Sequence, residues 1–334
     1  MRPDRRFWAG QRVLLTGHTG FKGAWLALML EALGAEVTGV ALAPPDLSLF
    51  GLLRLRLDSH LADIADAGPI IRAARPTVVL HLAAQALVPE GFANPAGTFA
   101  TTLGGTVTVL QALRGLASVR AALIVTTDKV YRNDNTGRRF VETDPLGGAD
   151  PYSASKAACE LAVASWRSSF ADLPPVATAR AGNVIGGGDF APTRLVPDLV
   201  RAIGGAPLVL RHPQATRPWQ HVLDVLIGYL LHVEALAAGT GPPALNFGPD
   251  AEELAVTALI EAFETAFATP LPWRHAPAPA EAARLALDPS LAASALGWRA
   301  GIEAVPATAA WYAAWRRGED MDARSRRDVA EALG

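Results

Sequence analysis

Lysine is nearly absent from this chain. Of its 30 lysine and arginine residues only Lys22, Lys129 and Lys156 are lysine, and each sits in a short motif: TGHTGFKG, VTTDKVY and YSASK. A chain that carries its surface charge almost entirely on arginine has kept lysine where a compact ammonium with a shiftable pKa differs from a rigid, always-charged guanidinium. Chemistry is expected at these three places. Cysteine is scarcer still. Cys159 stands alone, which excludes an intrachain disulfide and a cysteine-based zinc site and fits a reducing cytoplasm. No metal is expected. The formal net charge is -2, and no basic block is present in which several phosphates are neutralised together, so nucleic acid is not the expected partner. The short arginine stretches RRFW and RSRR read as solvated surface. No uninterrupted apolar run of about 20 residues occurs, and no charged-then-apolar leader opens the chain, so neither a membrane partner nor export is expected.

What is present is a core. At 334 residues and 50% hydrophobic, one large domain with an appended lobe is the default. QRVLLTG reads as a short strand ending at Gly17, AWLALMLEALG as a helix from Ala24 that stops at Gly34, and AEVTGVAL as the next strand, a β-α-β unit. The alternation continues through the strand TVVLHLAA, a helix over Thr98 to Leu113, the strand AALIVTT, a helix from Ser153 to about Phe170, and the strand PVATARAG. This is the pattern of an α/β fold with a parallel, doubly wound (Rossmann) sheet. After Gly186 the pattern loosens into glycine- and proline-rich connections with helices near 192–204, 222–238 and 252–268. Ala276 to Ala280 reads as a loop leading into a helix. The expected division is a dinucleotide-binding domain over 1–185, joined by a later strand near 221–250, and a smaller substrate-binding lobe of mixed α/β structure over 186–334.

Gly17, Gly20 and Gly23 fall at the strand-to-helix turn, where bare backbone and a helix N-terminus meet a pyrophosphate. Lys22 reads either as a solvated helix-start residue or as a contact to phosphate or substrate. The acid that usually meets an NAD ribose at the end of the second strand is missing: Ala41, Leu42 and Ala43 stand there, with Asp46 beyond two prolines. No arginine is present for a 2′-phosphate, so NAD is the expected cofactor. Asp63 reads either as a contact to the adenine amine or as an exposed helix cap. Farther on, Tyr152 and Lys156 lie four apart and so on one helix face. The cation is expected to lower a phenol pKa of about 10 toward working pH, with Thr126 and Thr127 closing the strand before it.

These residues resemble the extended short-chain dehydrogenase/reductase family, whose Thr/Ser, Tyr and Lys triad matches Thr127, Tyr152 and Lys156. HLAAQALV, TTDKVY, ETDPLGGADPYSASK, RAGNVIGGGDF, RLVPDLVRA, RPWQHVLD and LNFGPD narrow the likeness to its CDP-glucose 4,6-dehydratase branch, over residues 11 to about 315. The resemblance implies a redox-neutral dehydration of a nucleotide sugar, CDP-glucose before others. Hydride passes to NAD from carbon 4, water leaves from carbons 5 and 6, and hydride returns to carbon 6. It places Asp128 and Lys129 as the elimination pair, with lysine where dehydratases of dTDP-glucose and GDP-mannose carry glutamate. A lysine acts as base only when neutral, which burial or neighbouring positive charge favours, and a carboxyl acts as acid only when protonated.

The same resemblance assigns the cofactor to Gly17, His18, Thr19, Gly20, Phe21, Lys22 and Gly23, to Asp63 and Ile64, to Leu82, Ala83 and Ala84, and to Tyr152 and Lys156. It assigns the substrate to Asn183 and Arg217 at the pyrophosphate, with Arg194, Arg211 and Asn246 as further contacts and His81 and Gln85 lining the sugar pocket, although His81 at a strand end reads equally well as structural. Trp219 and His221 read as packing around the Arg217 turn, and Cys159 as an inert core thiol. Two positions depart from the branch: Thr102, where asparagine is usual, and Ala43. Two other readings stay open, an NAD-dependent sugar-nucleotide epimerase and a non-catalytic dinucleotide-sensing protein. A cytoplasmic homo-oligomer is the expected state.

Overall fold

The apolar runs, with one polar strand at an edge, form one seven-stranded parallel sheet. In chain order its strands are β1 (Arg12–Thr16), β2 (Glu36–Ala41), β3 (Asp58–Leu61), β4 (Val78–His81), β5 (Ala121–Val125), β6 (Val176–Ala181) and β7 (Ala244–Phe247). Their spatial order is β7-β6-β5-β4-β1-β2-β3. The order reverses between β1 and β4, where Val13 pairs with Val78 and Thr16 with His81. Such a switch point opens a crevice beyond the carboxyl ends of the strands. β4, β5 and β6 are buried at every position, as strands covered by helices on both faces must be. The structure is a computed structural model that describes residues 1–134, 136–203, 205–210, 213–250, 253–276 and 285–334. The loop expected over Ala276 to Ala280 therefore lies, from residue 277 on, outside the described residues.

One face of the sheet is covered by α1 (Phe21–Ala32) and α6 (Val222–Ala237), the other by α2 (Ala67–Ala74), α3 (Gly105–Leu113) and α4 (Pro151–Ser169). The sequence reading grouped the helix near 222–238 with the small lobe, but the structure packs α6 against α1, β5 and β6. The reason is its composition. VLDVLIGYLLHVEALA is apolar nearly all round, and a helix of that kind is stable only when covered on most sides. The chain then returns to the sheet edge as β7, paired with β6 from Ala244↔Thr178 to Phe247↔Ala181.

Helix boundaries near the crevice differ from expectation for local reasons. α1 begins at Phe21 rather than Ala24, so Lys22 and Gly23 lie in its first turn behind the Gly20 cap. α4 begins at Pro151, as the placing of Tyr152 and Lys156 on one helix face requires and two residues ahead of the Ser153 start of the apolar pattern, because Asp150 accepts from Ser153 N and proline suits the first helical position. The helix expected from Thr98 starts at Pro95 and passes through a π turn over Ala100–Gly104 before α3. That turn frees Thr102 O to accept from Thr106 Oγ1 at 2.8 Å and from the Cys159 thiol at 3.4 Å.

Residues beyond Gly186 supply α5 (Leu195–Ala202), α7 (Val256–Phe267), α8 (Ala304–Arg316) and α9 (Met321–Leu333), with short strand pairs between Leu208–Leu210 and Trp273–His275 and between Thr216–Arg217 and Leu254–Ala255. Two glycines fit this part to the sheet. A Cβ on Gly187 would stand 1.9 Å from the Trp311 ring, and Gly188 has φ +84°. Trp25 Nε1 on α1 donates to Gly187 O at 2.9 Å.

Candidate active site

A cleft of about 1420 Å³ lies over the switch point. Its floor begins with the loop after β1. Gly17 turns the chain with φ +76°, and a Cβ on Gly23 would meet Gly17 O at 2.0 Å. Only glycine lets α1 start this close to the strand, which brings the first-turn N–H groups to the cleft. That is a cradle for a pyrophosphate, and it fits NAD. Gly23→Ala is expected to push the loop off the strand with about 1–3 kcal/mol of overpacking strain. NADH affinity should fall about tenfold to a hundredfold, measured by nicotinamide fluorescence titration. Wild-type affinity in this variant would mean that the loop does not hold the cofactor.

The structure brings Gly17, Thr19, Gly20, Phe21, Lys22 and Gly23 to the cleft, together with Asp63, Ile64, Leu82, Ala83 and Ala84. Asp63 is exposed there and also caps the next turn, Oδ1 accepting from Ala65 N at 2.9 Å. The wall at the end of β2 is Val40, Ala41 and Leu42, and Thr19 Oγ1 donates to Leu42 O at 2.9 Å. Ala43 thus leaves that wall without the usual carboxylate. His18 points the other way. Its ring is fully buried against Phe50, with Nε2 2.7 Å from Ser59 Oγ, in space that Gly39 leaves by lacking a Cβ. Burial pushes it down to about 4, so its side chain is packing and only its backbone belongs to the loop.

The other half of the cleft holds Thr127, Asp128, Lys129, Tyr152 and Lys156. Thr127 Oγ1 donates to Asp128 Oδ1 at 2.9 Å and shares a hydrogen bond with Tyr152. Lys156 Nζ donates to Val125 O at 2.9 Å. The expected lowering of the phenol by Lys156 is not found in the protein alone. Burial raises the Tyr152 pKa, against a hydrogen bond with Thr127 that lowers it, while Asp128 raises it and Arg194 lowers it. Burial also lowers Lys156, opposed by Cys159 and Glu160. Asp128 is buried and Lys129 exposed.

All three lysines line this one cleft. Lys22 is not the solvated helix-start residue of the blander reading. Its ammonium lies 6.0 Å from the Tyr229 ring centroid. Burial, then the positive charges of Arg194 and Lys156, bring it down to about 7, against Asp128 and Asp189.

Asn183, Arg194 and Arg217 line the part of the cleft built by the chain after β6. Arg194 Nη1 is held at 2.7 Å by Asp189 Oδ2, and Arg217 Nη1 donates to Thr216 O at 2.9 Å. Asp189, in GGGDF, also lines the cleft and is not among the residues the sequence assigns. Its carboxylate after three glycines was the available signal. Trp219, read as packing, does pack against the core and also lines the cleft. His221 caps α6 by accepting from Leu223 N at 3.3 Å.

Three expected substrate contacts are drawn away. His81 is buried, with Nδ1 2.7 Å from Thr16 Oγ1 on β1 and Nε2 3.3 Å from Thr106 Oγ1 on α3, so both ring nitrogens are taken up inside the fold. Gln85 Nε2 donates to Leu87 O at 2.9 Å and to Thr98 Oγ1 at 3.0 Å, closing its own loop. Asn246 is fully buried on β7, accepting from Tyr131 Oη at 2.7 Å and donating to Phe140 O at 2.8 Å. Arg211 lies outside the described residues. Cys159 is buried as expected, and burial raises its thiol. Among the described residues no cluster of His, Cys, Asp or Glu is arranged to hold a metal ion, and no helix is long and apolar enough to cross a membrane.

The family model of the NAD dependent epimerase/dehydratase family matches residues 13–248. A CDP-glucose 4,6-dehydratase of Salmonella typhimurium is 38% identical, with 99% of this chain and 98% of that protein covered. Among solved structures, the chain is similar to a UDP-glucose-4-epimerase of Stenotrophomonas maltophila with bound NAD (25% identity, TM-score 0.82, covering 92% of this chain and 99% of that one). It is also similar to a dTDP-glucose 4,6-dehydratase of Streptomyces venezuelae with NAD bound (26% identity, TM-score 0.79, covering 92% and 98%).

Proposed function

The chain belongs to the NAD dependent epimerase/dehydratase family, and within it we propose a sugar-nucleotide 4,6-dehydratase that converts CDP-glucose to CDP-4-keto-6-deoxyglucose. The observation that carries this reading is the turn Thr127-Asp128-Lys129, set beside Tyr152 and Lys156 in one cleft. Oxidation of an alcohol needs one base and one hydrogen-bond donor, which Tyr152 and Thr127 supply. Elimination needs a second acid and base, and a simple epimerase has no use for them. The likeness to the Salmonella protein along nearly its whole length supports the same choice.

When bound, NAD supplies a hydride acceptor and later in the same turnover a hydride donor. The glycine loop and the start of α1 hold its pyrophosphate. Tyr152 takes the proton of the carbon 4 hydroxyl while Thr127 donates a hydrogen bond to the same oxygen. Lys129 removes the carbon 5 proton, and Asp128 gives a proton to the departing carbon 6 hydroxyl. Arg194, Arg217 and Asn183 hold the substrate's pyrophosphate, since planar guanidinium forks suit phosphate oxygens, and substrate binding is assigned to the lobe over 186–334. A cytoplasmic homo-oligomer is part of the reading, and exposed Phe92, Phe99 and Leu161 on helices that pack together support the oligomer.

The test is turnover of CDP-, dTDP-, GDP- and UDP-glucose followed by mass spectrometry. Loss of one water from CDP-glucose, with no net consumption of added NAD, is expected. A product that keeps every oxygen would replace this reading with an epimerase, and NADH accumulating in step with product would replace it with a simple dehydrogenase.

A further inference from the structure

A buried ion pair sits directly behind the catalytic turn. Glu160, on α4, and Arg180, on β6, have side chains only 4% and 5% exposed. They meet fork to fork: Arg180 Nη2 donates to Glu160 Oε2 at 2.8 Å and Nε to Oε1 at 3.0 Å. The remaining lone pairs are also used, Oε1 by Thr126 Oγ1 at 2.5 Å and Oε2 by Thr178 Oγ1 at 2.6 Å. Arg180 Nη1 reaches Tyr131 Oη at 2.7 Å and Glu142 O at 3.0 Å. Taking two charges out of water costs several kcal/mol per ion, and apolar residues of similar volume often serve stability as well or better. Stability alone is therefore a weak reason for this pair.

Its placement supplies a stronger one. Thr126 immediately precedes the turn Thr127-Asp128-Lys129, and Tyr131 follows it by two residues. The pair thus grips both ends of the segment that carries the oxidation and elimination groups. Glu160 also lies one helical turn beyond Lys156, whose ammonium grips the neighbouring Val125 O. One ion pair therefore fixes the catalytic turn relative to the helix that presents Tyr152. Asn246 completes the support by accepting from Tyr131 Oη while its own backbone N–H donates to Glu142 Oε1 at 2.8 Å.

We infer that Glu160 and Arg180 are positioning residues for the reaction, acting through Thr126 and Tyr131 to hold Thr127, Asp128 and Lys129 in register with Tyr152. The inference rests on the function proposed above for what is being positioned. Because removing one charge of a buried pair is strongly destabilising, the deciding variant leaves the pair intact and cuts its two links. In the full chain, Thr126→Val with Tyr131→Phe is expected to keep the fold and lower kcat on CDP-glucose about a hundredfold, the order of loss from a misplacement of about an ångström. KM should stay within about threefold, which marks a loss confined to the transition state. Thr126→Ser with wild-type Tyr131 keeps both hydroxyls and should retain wild-type kcat. Wild-type kcat in the doubly substituted protein overturns the inference, as does a rise in KM that accounts for the loss.

Hydrogen exchange of the amides from 127 to 131 is the second arm and needs no substrate. Exchange there should quicken in the double variant while β6 and the rest of β5 keep their protection. Unchanged exchange in that turn overturns the inference. If the wild-type protein turns over no nucleotide sugar, the proposed function fails by itself, and the exchange arm still decides the positioning role.

Discussion

Tyr152→Phe is expected to stop oxidation at carbon 4 while leaving substrate binding within about tenfold, or about 1.4 kcal/mol. The substitution keeps the ring and leaves the close approach of the Tyr152 backbone to Gly91 unchanged, where a Cβ would stand 3.1 Å from Tyr152 N and 3.3 Å from Tyr152 Cβ. It also orphans little, because Thr127 Oγ1 still donates to Asp128 Oδ1. Stability should therefore change by no more than about the ~1 kcal/mol of one hydrogen bond. No other phenol can take over. The chain has four tyrosines, and Tyr152 is the one that lines the cleft. Tyr131 is bound by Arg180 and Asn246 and raised to about 12, chiefly by burial. Tyr229 is fully buried, and Tyr312 donates to Asp189 O at 2.5 Å. A missing general base typically costs about a hundredfold to ten-thousandfold. Single-turnover absorbance of the reduced nicotinamide, with affinity measured in parallel, decides it: wild-type rates in the variant would remove Tyr152 from the role of base.

The sheet was legible because its signals are local. β1, β2, β4, β5 and β6 are short apolar runs closed by glycine, proline or a polar turn, and period and length suffice to separate them from the helices, whereas β3, Asp58-Ser59-His60-Leu61 at the sheet edge, carries no apolar run and gives no such signal. The loop Gly17-Gly20-Gly23 was legible for the same reason, since strand, turn and helix follow within a dozen residues. What sequence reasoning misplaced depends on contacts between distant segments. α6 reads as part of a later lobe by position in the chain, yet its all-round apolar surface demands the sheet. His81, Gln85 and Asn246 carry polar groups suited to a sugar, but partners 25, 13 and 115 residues away, at Thr106, Thr98 and Tyr131, claim them. The expectation that Lys156 governs the Tyr152 phenol followed helix spacing alone. It left out burial, which acts on both groups and opposes ionisation of each.

The Glu160–Arg180 pair shows where a weak signal existed. Arg180 is a charge inside PVATARAG, a strand read as buried, and Glu160 follows Lys156 by one helical turn. A buried charge calls for a partner, but nothing in the spacing says that the partner lies 20 residues away across the sheet face. Packing supplies that information, and it also joins the pair to Thr126 and Tyr131.

Asp128→Asn and Lys129→Met are expected to separate the two halves of the reaction, because oxidation and water loss are assigned to different groups on one turn. Tyr152 and Thr127 remain in both variants, so hydride abstraction should proceed. Asparagine keeps a side-chain oxygen that can accept from Thr127 Oγ1, as Asp128 Oδ1 does at 2.9 Å, and methionine keeps the length of a side chain that is already exposed on the cleft. Geometry should therefore survive while proton transfer is lost. Each general acid or base contributes about a hundredfold to ten-thousandfold, so overall dehydration should fall by at least about a hundredfold in either variant. The distinguishing sign is what builds up: reduced nicotinamide absorbance together with an enzyme-bound 4-keto hexose that still carries its carbon 6 hydroxyl. In Tyr152→Phe neither should form, so the order of the two losses orders the chemistry. Wild-type dehydration in both variants would make Asp128 and Lys129 spectators, and the case for a dehydratase over an epimerase would lose the observation that carries it.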